Sequence, residues 1–187
     1  MPKATDMLRE DHEKVKGLFE RFENAESGEK KEIVATTLQE LQIHTALEEE
    51  IFYPAAQEAL QDDSEEEDTI DEAWEEHHVV KLVMAELKKM DPDDERYDAK
   101  FTVMAENVKH HIEEEEGELF PKLEGQLDEE DLGERMMERK EELQQHPSSA
   151  TRRRSAKAKS RTSANARGKR KQTGGRKKGR KAAGGRR

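Results

Sequence analysis

The sequence contains no cysteine, which excludes disulfides, zinc–thiolate sites and iron–sulfur clusters and fits a reducing compartment. No apolar run approaches the ~18–20 residues that a membrane-spanning helix needs. Met1-Pro2-Lys3 leads straight into an amphipathic pattern, without the apolar core of a secretion signal. The expected location is the cytoplasm, with no membrane partner. No stretch alternates with period two, so no strand is expected. Acidic residues are absent from one part of the chain only. Residues 148–187 hold 17 Lys/Arg and no Asp/Glu, which leaves 17 basic against 45 acidic side chains in residues 1–147, a formal charge of −28. An acidic body (1–147) and a basic tail (148–187) require separate explanations.

What the body does contain is helical periodicity. Leu8, His12, Val15, Phe19 and Phe22 fall at helical spacing after Thr5 or Asp6, both good N-caps. A second helix is predicted from about Glu29 to Tyr53, with Val34, Leu38, Leu41, His44, Glu48 and Ile51 inward, kinked or ended by Pro54, although Ala55 to Leu60 could add a turn or two. Asp62 to Asp68 reads as an acidic loop, and Thr69-x-x-Glu72 as a capping box for a third helix. That helix presents Ile70, Trp74, His77, Val80, Met84 and Leu87. After a turn at Met90-Asp91-Pro92, a fourth helix from about Asp93 presents Tyr97, Phe101, Met104, Val108, His111, Glu115 and Leu119, closed by Pro121. A shorter helix from about Asp128 to Gln144 shows Leu132, Met136 and Leu143 on one side. The expected fold is all-α: an up-down-up-down four-helix bundle with a short extra C-terminal helix.

Two stretches are copies of one another. His44-x3-Glu48 leads to Phe52-Tyr53-Pro54, and His111-x3-Glu115 leads to Leu119-Phe120-Pro121. Residues four apart share a helix face, so each copy aims an imidazole and a carboxylate at one point. Asp11-His12 aligns likewise with Glu76-His77 at an offset of 65, close to the 67 that separates the other pair. The body is therefore a duplicated helix hairpin. His12 and His77 stand ~10–12 Å from the bottom of the bundle, His44 and His111 ~15 Å, and Glu48 and Glu115 ~9 Å. These six residues can meet in one layer.

One histidine on an apolar stripe is usually a core or boundary residue. Four at a common level, with two inward glutamates, are different, because burying them without a partner would be costly. His12, His44, Glu48, His77, His111 and Glu115 suit two metal ions, each with two imidazoles and with the glutamates shared. Imidazole with carboxylate fits iron, manganese or zinc. His78 and His110 lie ~100° off the stripe and read as surface or supporting groups, as do Glu49, Glu114 and Glu116. His146 falls in a linker. Trp74, Phe19, Phe52 and Phe120 read as packing that keeps the site dry.

The duplicated His-x3-Glu-x4-aromatic-Pro, with Asp11-His12 and Glu76-His77, resembles the hemerythrin family and, within it, the bacterial HHE cation-binding branch, over roughly residues 4–145. The resemblance implies two irons per chain, oxo- or hydroxo-bridged, that bind O2, peroxide or a similar small ligand, or store or sense iron. It implies the same six ligands. The sequence departs from the oxygen carriers at Lys81, where they have a second histidine four residues on. It departs again after His111, where their His-x4-Asp becomes Glu116 while the duplication selects Glu115. A missing imidazole favours redox turnover of ferroxidase or peroxide type, iron handling or sensing over reversible O2 carriage.

The tail has no aromatic and only small apolar side chains, and is expected to be disordered alone. Arg152-Arg153-Arg154, Lys169-Arg170-Lys171 and the run of Arg176, Lys177, Lys178, Arg180 and Lys181 resemble the tails of histone-like proteins in composition. The expected partner is DNA or RNA, bound through phosphates without sequence preference, which would associate the protein with the nucleoid. Competing readings are a solubilising tail, one that folds back on its own acidic body or a neighbour's, a tail that meets an anionic membrane or polyphosphate, a metal-dependent DNA-associated sensor without turnover, an O2 carrier or store, and a purely structural bundle.

Overall fold

The first helix, α1 (Ala4–Asn24), buries Leu8, His12, Val15, Phe19 and Phe22, the stripe its periodicity dictates. It begins one residue before Thr5, whose backbone N–H and hydroxyl are instead held by Glu129. In the computed structural model, residues 2–61 and 64–146 are described; the tail and its predicted disorder and contacts lie outside them.

Helix α2 (Ser27–Leu47) runs antiparallel to α1, and the helical path does not stop at Pro54. It passes through a π-helical turn, Glu48–Phe52, into α3 (Tyr53–Ala59). The Tyr53 N–H bonds to the Glu48 carbonyl five residues back. This resets the register so that Pro54, which has no N–H, occupies the first turn of α3 where none is needed. The extra residue also rotates the downstream helix by ~100°. Phe52 is fully buried as a result, and Ile51, predicted to face inward, is only half-buried.

The third long helix, α4 (Ser64–Leu87), starts earlier than its sequence signals suggest. Thr69 lies inside it, so the expected capping box does not form. Ile70, His77, Val80, Met84 and Leu87 are buried, whereas Trp74 is half-buried, with its ring 5.8 Å from that of Tyr53. Turns anchored by Asp91 and Asp94 delay α5 until Tyr97 (Tyr97–Glu114). A second π-turn, Glu115–Leu119, then leads into α6 (Phe120–Leu123). Pro121 again sits in the first turn. The chain leaves α6 at Gly125, whose φ of +77° is the left-handed conformation glycine tolerates best. Helix α7 (Glu129–Gln145) is capped by the Asp128 side chain, which accepts from the Asp131 N–H. Its Leu132, Met136 and Leu143 are buried, in line with their spacing.

These elements make the up-down-up-down bundle, with α7 laid against α1, α2 and the first π-turn. Among the described residues there is no strand, and no helix is long and apolar enough to cross a membrane. One end of the bundle is filled by Val15, Phe19, Phe22, Leu38, Met84, Phe101 and their neighbours. The layer beyond the histidines holds Leu8, Leu47, Phe52, Leu119, Leu123 and Met136. Helix α7 approaches the N-terminus so closely at Gly133 that a Cβ there would overlap the Pro2 carbonyl. Gly133→Ala should cost about 1–3 kcal/mol by overpacking, read as a lowered Tm. An unchanged Tm would show that this contact is slack.

Candidate metal centre

Each long helix carries one histidine to the same level, and each π-turn begins on a glutamate. His12, His44, His77, His111, Glu48 and Glu115 are all at least 95% buried. Their Nε2 atoms form two pairs: His12 with His44 at 3.2 Å, and His77 with His111 at 3.0 Å. Glu48 stands between the pairs. Its Oε1 is 3.0 Å from His44 Nε2, and its Oε2 is 3.2 Å from His77 Nε2. Glu115 Oε2 lies 3.3 Å from His12 Nε2 and 3.6 Å from His111 Nε2. The structure thus brings all six sequence-selected residues together as two nitrogen pairs joined by carboxylates.

The donor chemistry can be tested against a metal. Three carboxylate oxygens, both of Glu48 and Oε2 of Glu115, are buried with no hydrogen bond of ordinary geometry and face only imidazole nitrogens. Orphaned buried carboxylates are costly. Two imidazole nitrogens ~3 Å apart, with metal–nitrogen bonds of ~2.1 Å, subtend an ordinary coordination angle at a shared ion. Cations answer both requirements. The groups within mutual reach are His12, His44, Glu48 and Glu115 on one side, and Glu48, His77 and His111 on the other.

The outer nitrogens of His12, His77 and His111 are also provided for, by a rule that follows the duplication, while His44 Nδ1 is left without a hydrogen bond. Glu116, after the second glutamate, meets His12 Nδ1 at 2.7 Å; Glu49, after the first, meets His77 Nδ1 at 3.1 Å. Glu76 meets His111 Nδ1 at 2.7 Å. Its counterpart Asp11 stands 4.0 Å from His44 Nδ1, beyond hydrogen-bonding distance, and pairs with Lys140 of α7. Carboxylates in these places fix the ring orientation and leave Nε2 as the ligating atom. Glu49 and Glu116 therefore support ligands, in agreement with their position off the stripe. Lys81 pairs with Glu49. His78 and His110 are exposed.

Sequence reading missed Tyr53. Its buried hydroxyl donates to Glu115 Oε1 at 2.8 Å and lies 3.3 Å from His77 Nε2 and 3.4 Å from His111 Nε2. Burial first, then Glu115 and Glu48, push this phenol well above its ordinary pKa, so it stays protonated. The duplication carried the signal: Phe120 is the equivalent residue, and its ring lies parallel to His12, with centroids 6.0 Å apart. Both copies place an aromatic ring before the proline, and only the first adds a hydroxyl, which reaches the centre. On the opposite side, Val15, Leu41, Thr45, Val80, Val108 and Ile112 line a small cavity of about 10 Å³ against the four imidazoles.

Burial would lower the pKa of His12, but Glu115 and Glu48 outweigh it and raise the group to about 10 in the metal-free chain. Because this folded value lies above the unfolded one, the stabilisation is full below about pH 6.5 and is lost as pH rises through about 10. A metal must displace this proton. Apparent metal affinity should therefore keep rising above about pH 7, by up to about tenfold per unit. Competition titrations at several pH values check this; a plateau near pH 7 would contradict it.

The geometry has counterparts among known proteins. A crystal structure of a hemerythrin HHE cation binding domain-containing protein from Mycobacterium kansasii is similar, with a TM-score of 0.64 and 25% identity over 80% of this chain and 97% of that one. A comparison with curated proteins gave no match. The hemerythrin HHE cation binding domain matches residues 3–123, the span that supplies all six converging side chains. With two imidazole pairs, their shared carboxylates and this match in hand, the chain belongs to the hemerythrin HHE cation-binding family.

Proposed function

We propose that the centre binds two iron ions and reacts with O2, peroxide or a similar small oxidant, in iron handling, sensing or protection from oxidative damage. The observation that carries this reading is Glu48, whose two oxygens face separate histidine pairs. His12 and His44 would hold one ion with Glu48 Oε1; His77 and His111 would hold the other with Glu48 Oε2. Two imidazoles and a carboxylate at each ion make the donor set of non-haem Fe(II) sites with open positions. Manganese and zinc share the donor preference, so metal identity belongs to the test.

When bound, such a pair supplies one-electron redox chemistry. The chain's own residues set the conditions for it. The apolar cavity excludes bulk water and takes only a very small guest. Glu49, Glu76 and Glu116 orient the rings, and the Tyr53 hydroxyl, keeping its own proton, donates a hydrogen bond to Glu115 Oε1. In this reading the basic tail anchors the acidic bundle to nucleic acid in the cytoplasm. A bundle of charge −28 would be repelled by phosphates, so attachment would fall to the tail alone.

Metal analysis after anaerobic Fe(II) loading should find about two irons per chain, and exposure to air should produce a charge-transfer absorption band. Loading without any optical change on oxidation would favour zinc or manganese. No retained transition metal would overturn the reading.

A further inference from the structure

A buried two-metal centre needs a way in, and the two halves of the duplication differ there. Between α4 and the second π-turn lies a cleft lined by Thr69, Glu72, Ala73, Glu76, Glu114 and Glu118, with His111 and Glu115 at its inner wall. Exposure falls along it. Glu72 and Glu118 are exposed, Glu76 and Glu114 half-buried, and His111 and Glu115 buried. Ligand atoms of Glu76, Glu114 and the exposed His110 lie within 4.8 Å of one another. At the inner wall Glu115 is 2% exposed, and its Oε2, 3.3 Å from His12 Nε2, accepts no hydrogen bond of ordinary geometry.

We infer that this cleft is the route by which divalent metal reaches the centre, with Glu76, His110 and Glu114 as its transit site. The inference rests on the two-metal reading. A divalent ion sheds water only where oxygens or nitrogens replace it. The other cavity that touches the histidines is walled by Val15, Leu41, Val80, Val108 and Ile112, with Thr45 its one polar side chain besides the imidazoles, and it holds no carboxylate. The duplication supplies the control. By the repeat offsets, Thr69, Glu72, Ala73, Glu76, His110, Glu114 and Glu118 correspond to Ala4, Met7, Leu8, Asp11, Ile43, Leu47 and Ile51. The equivalent place in the first hairpin is thus almost wholly apolar, and α7 packs against α1 and the π-turn there. Asp11, the one acid retained, is paired with Lys140. One door is covered, and the other is lined with carboxylates.

The experiment is stopped-flow loading of the metal-free full chain with Co(II), followed by its visible absorption. Wild type and Glu72→Gln/Glu118→Gln should both reach two ions per chain, but the variant should load about tenfold more slowly, because the mouth no longer concentrates cations. Glu20→Gln/Glu106→Gln, which removes two exposed charges elsewhere, should load like wild type. The absence of cysteine permits a sharper version. Glu114→Cys, folded and then labelled with a bulky maleimide, should load far more slowly than the same protein unlabelled. Since the label is added after folding, a lost fold cannot mimic a blocked route. Equal rates with and without the label would overturn the inference while leaving the two-metal centre intact. A wild-type chain that takes up no Co(II) would instead overturn the metal reading beneath it.

Discussion

Replacing Glu48 with alanine should empty both halves of the centre, whereas replacing His44 should chiefly weaken one. The difference follows from position: His44 belongs to one imidazole pair, while the two oxygens of Glu48 stand against both. Loss of a supporting carboxylate behind a ligand costs roughly 10- to 100-fold in metal affinity. Loss of the shared ligand should exceed that at each ion, and retained metal should fall from about two per chain towards zero. Stability provides a second readout. Metal present at about 1,000 times its dissociation constant adds roughly 4 kcal/mol, or a Tm shift of about 8–16 °C for a chain of this length. Wild type should show that shift and Glu48→Ala almost none. Glu116→Gln, which removes no ligand and weakens the support of His12 and a pairing with the half-exposed Arg9, should keep most of it. Two ions retained by Glu48→Ala would show that the carboxylate does not bridge.

The second large effect concerns the tail. Truncation after Pro147 removes 17 Lys/Arg and leaves a body of charge −28, so DNA binding should disappear rather than weaken. For the full chain, log affinity should fall linearly with log salt. If 6–10 of the tail's cations meet phosphates, affinity should drop by roughly 10³–10⁵ between about 50 and 200 mM salt. Shuffling the tail at constant composition should change little, because counterion release depends on charge and not on order. Fluorescence anisotropy with labelled duplex measures all three. Binding by the truncated chain equal to that of the full chain would assign any DNA affinity to the bundle and refute tethering.

Much of the bundle and all six converging residues were legible because the information was periodic and doubled. A stripe such as Tyr97, Phe101, Met104, Val108, His111 needs only the pitch of an α-helix to be read, and the second copy confirms the first. The π-turns were not legible. Nothing in Glu48–Phe52, and in Glu115–Leu119 only Gly117, disfavours the α register locally, apart from a proline just beyond, which equally suits a helix end. Two buried glutamates drawn to a common point, with the chain continuing past proline, require the extra residue, and Ile51 loses its inward place to Phe52 in consequence.

Pairings across the duplication were hidden for a different reason. His12 and Glu116 are 104 residues apart, and Tyr53 and Glu115 are 62 apart. A helical wheel says which way a side chain faces, not what meets it there. Local periodicity and repetition therefore settled, from the sequence alone, a four-helix acidic bundle with a His/Glu layer. Only tertiary structure decided that Glu48 lies between two histidine pairs, that Tyr53 joins them, and that α7 covers one flank and leaves the other lined with acid. Those outcomes depend on side chains from separate helices competing for the same few ångströms, and no single stretch of sequence contains that competition.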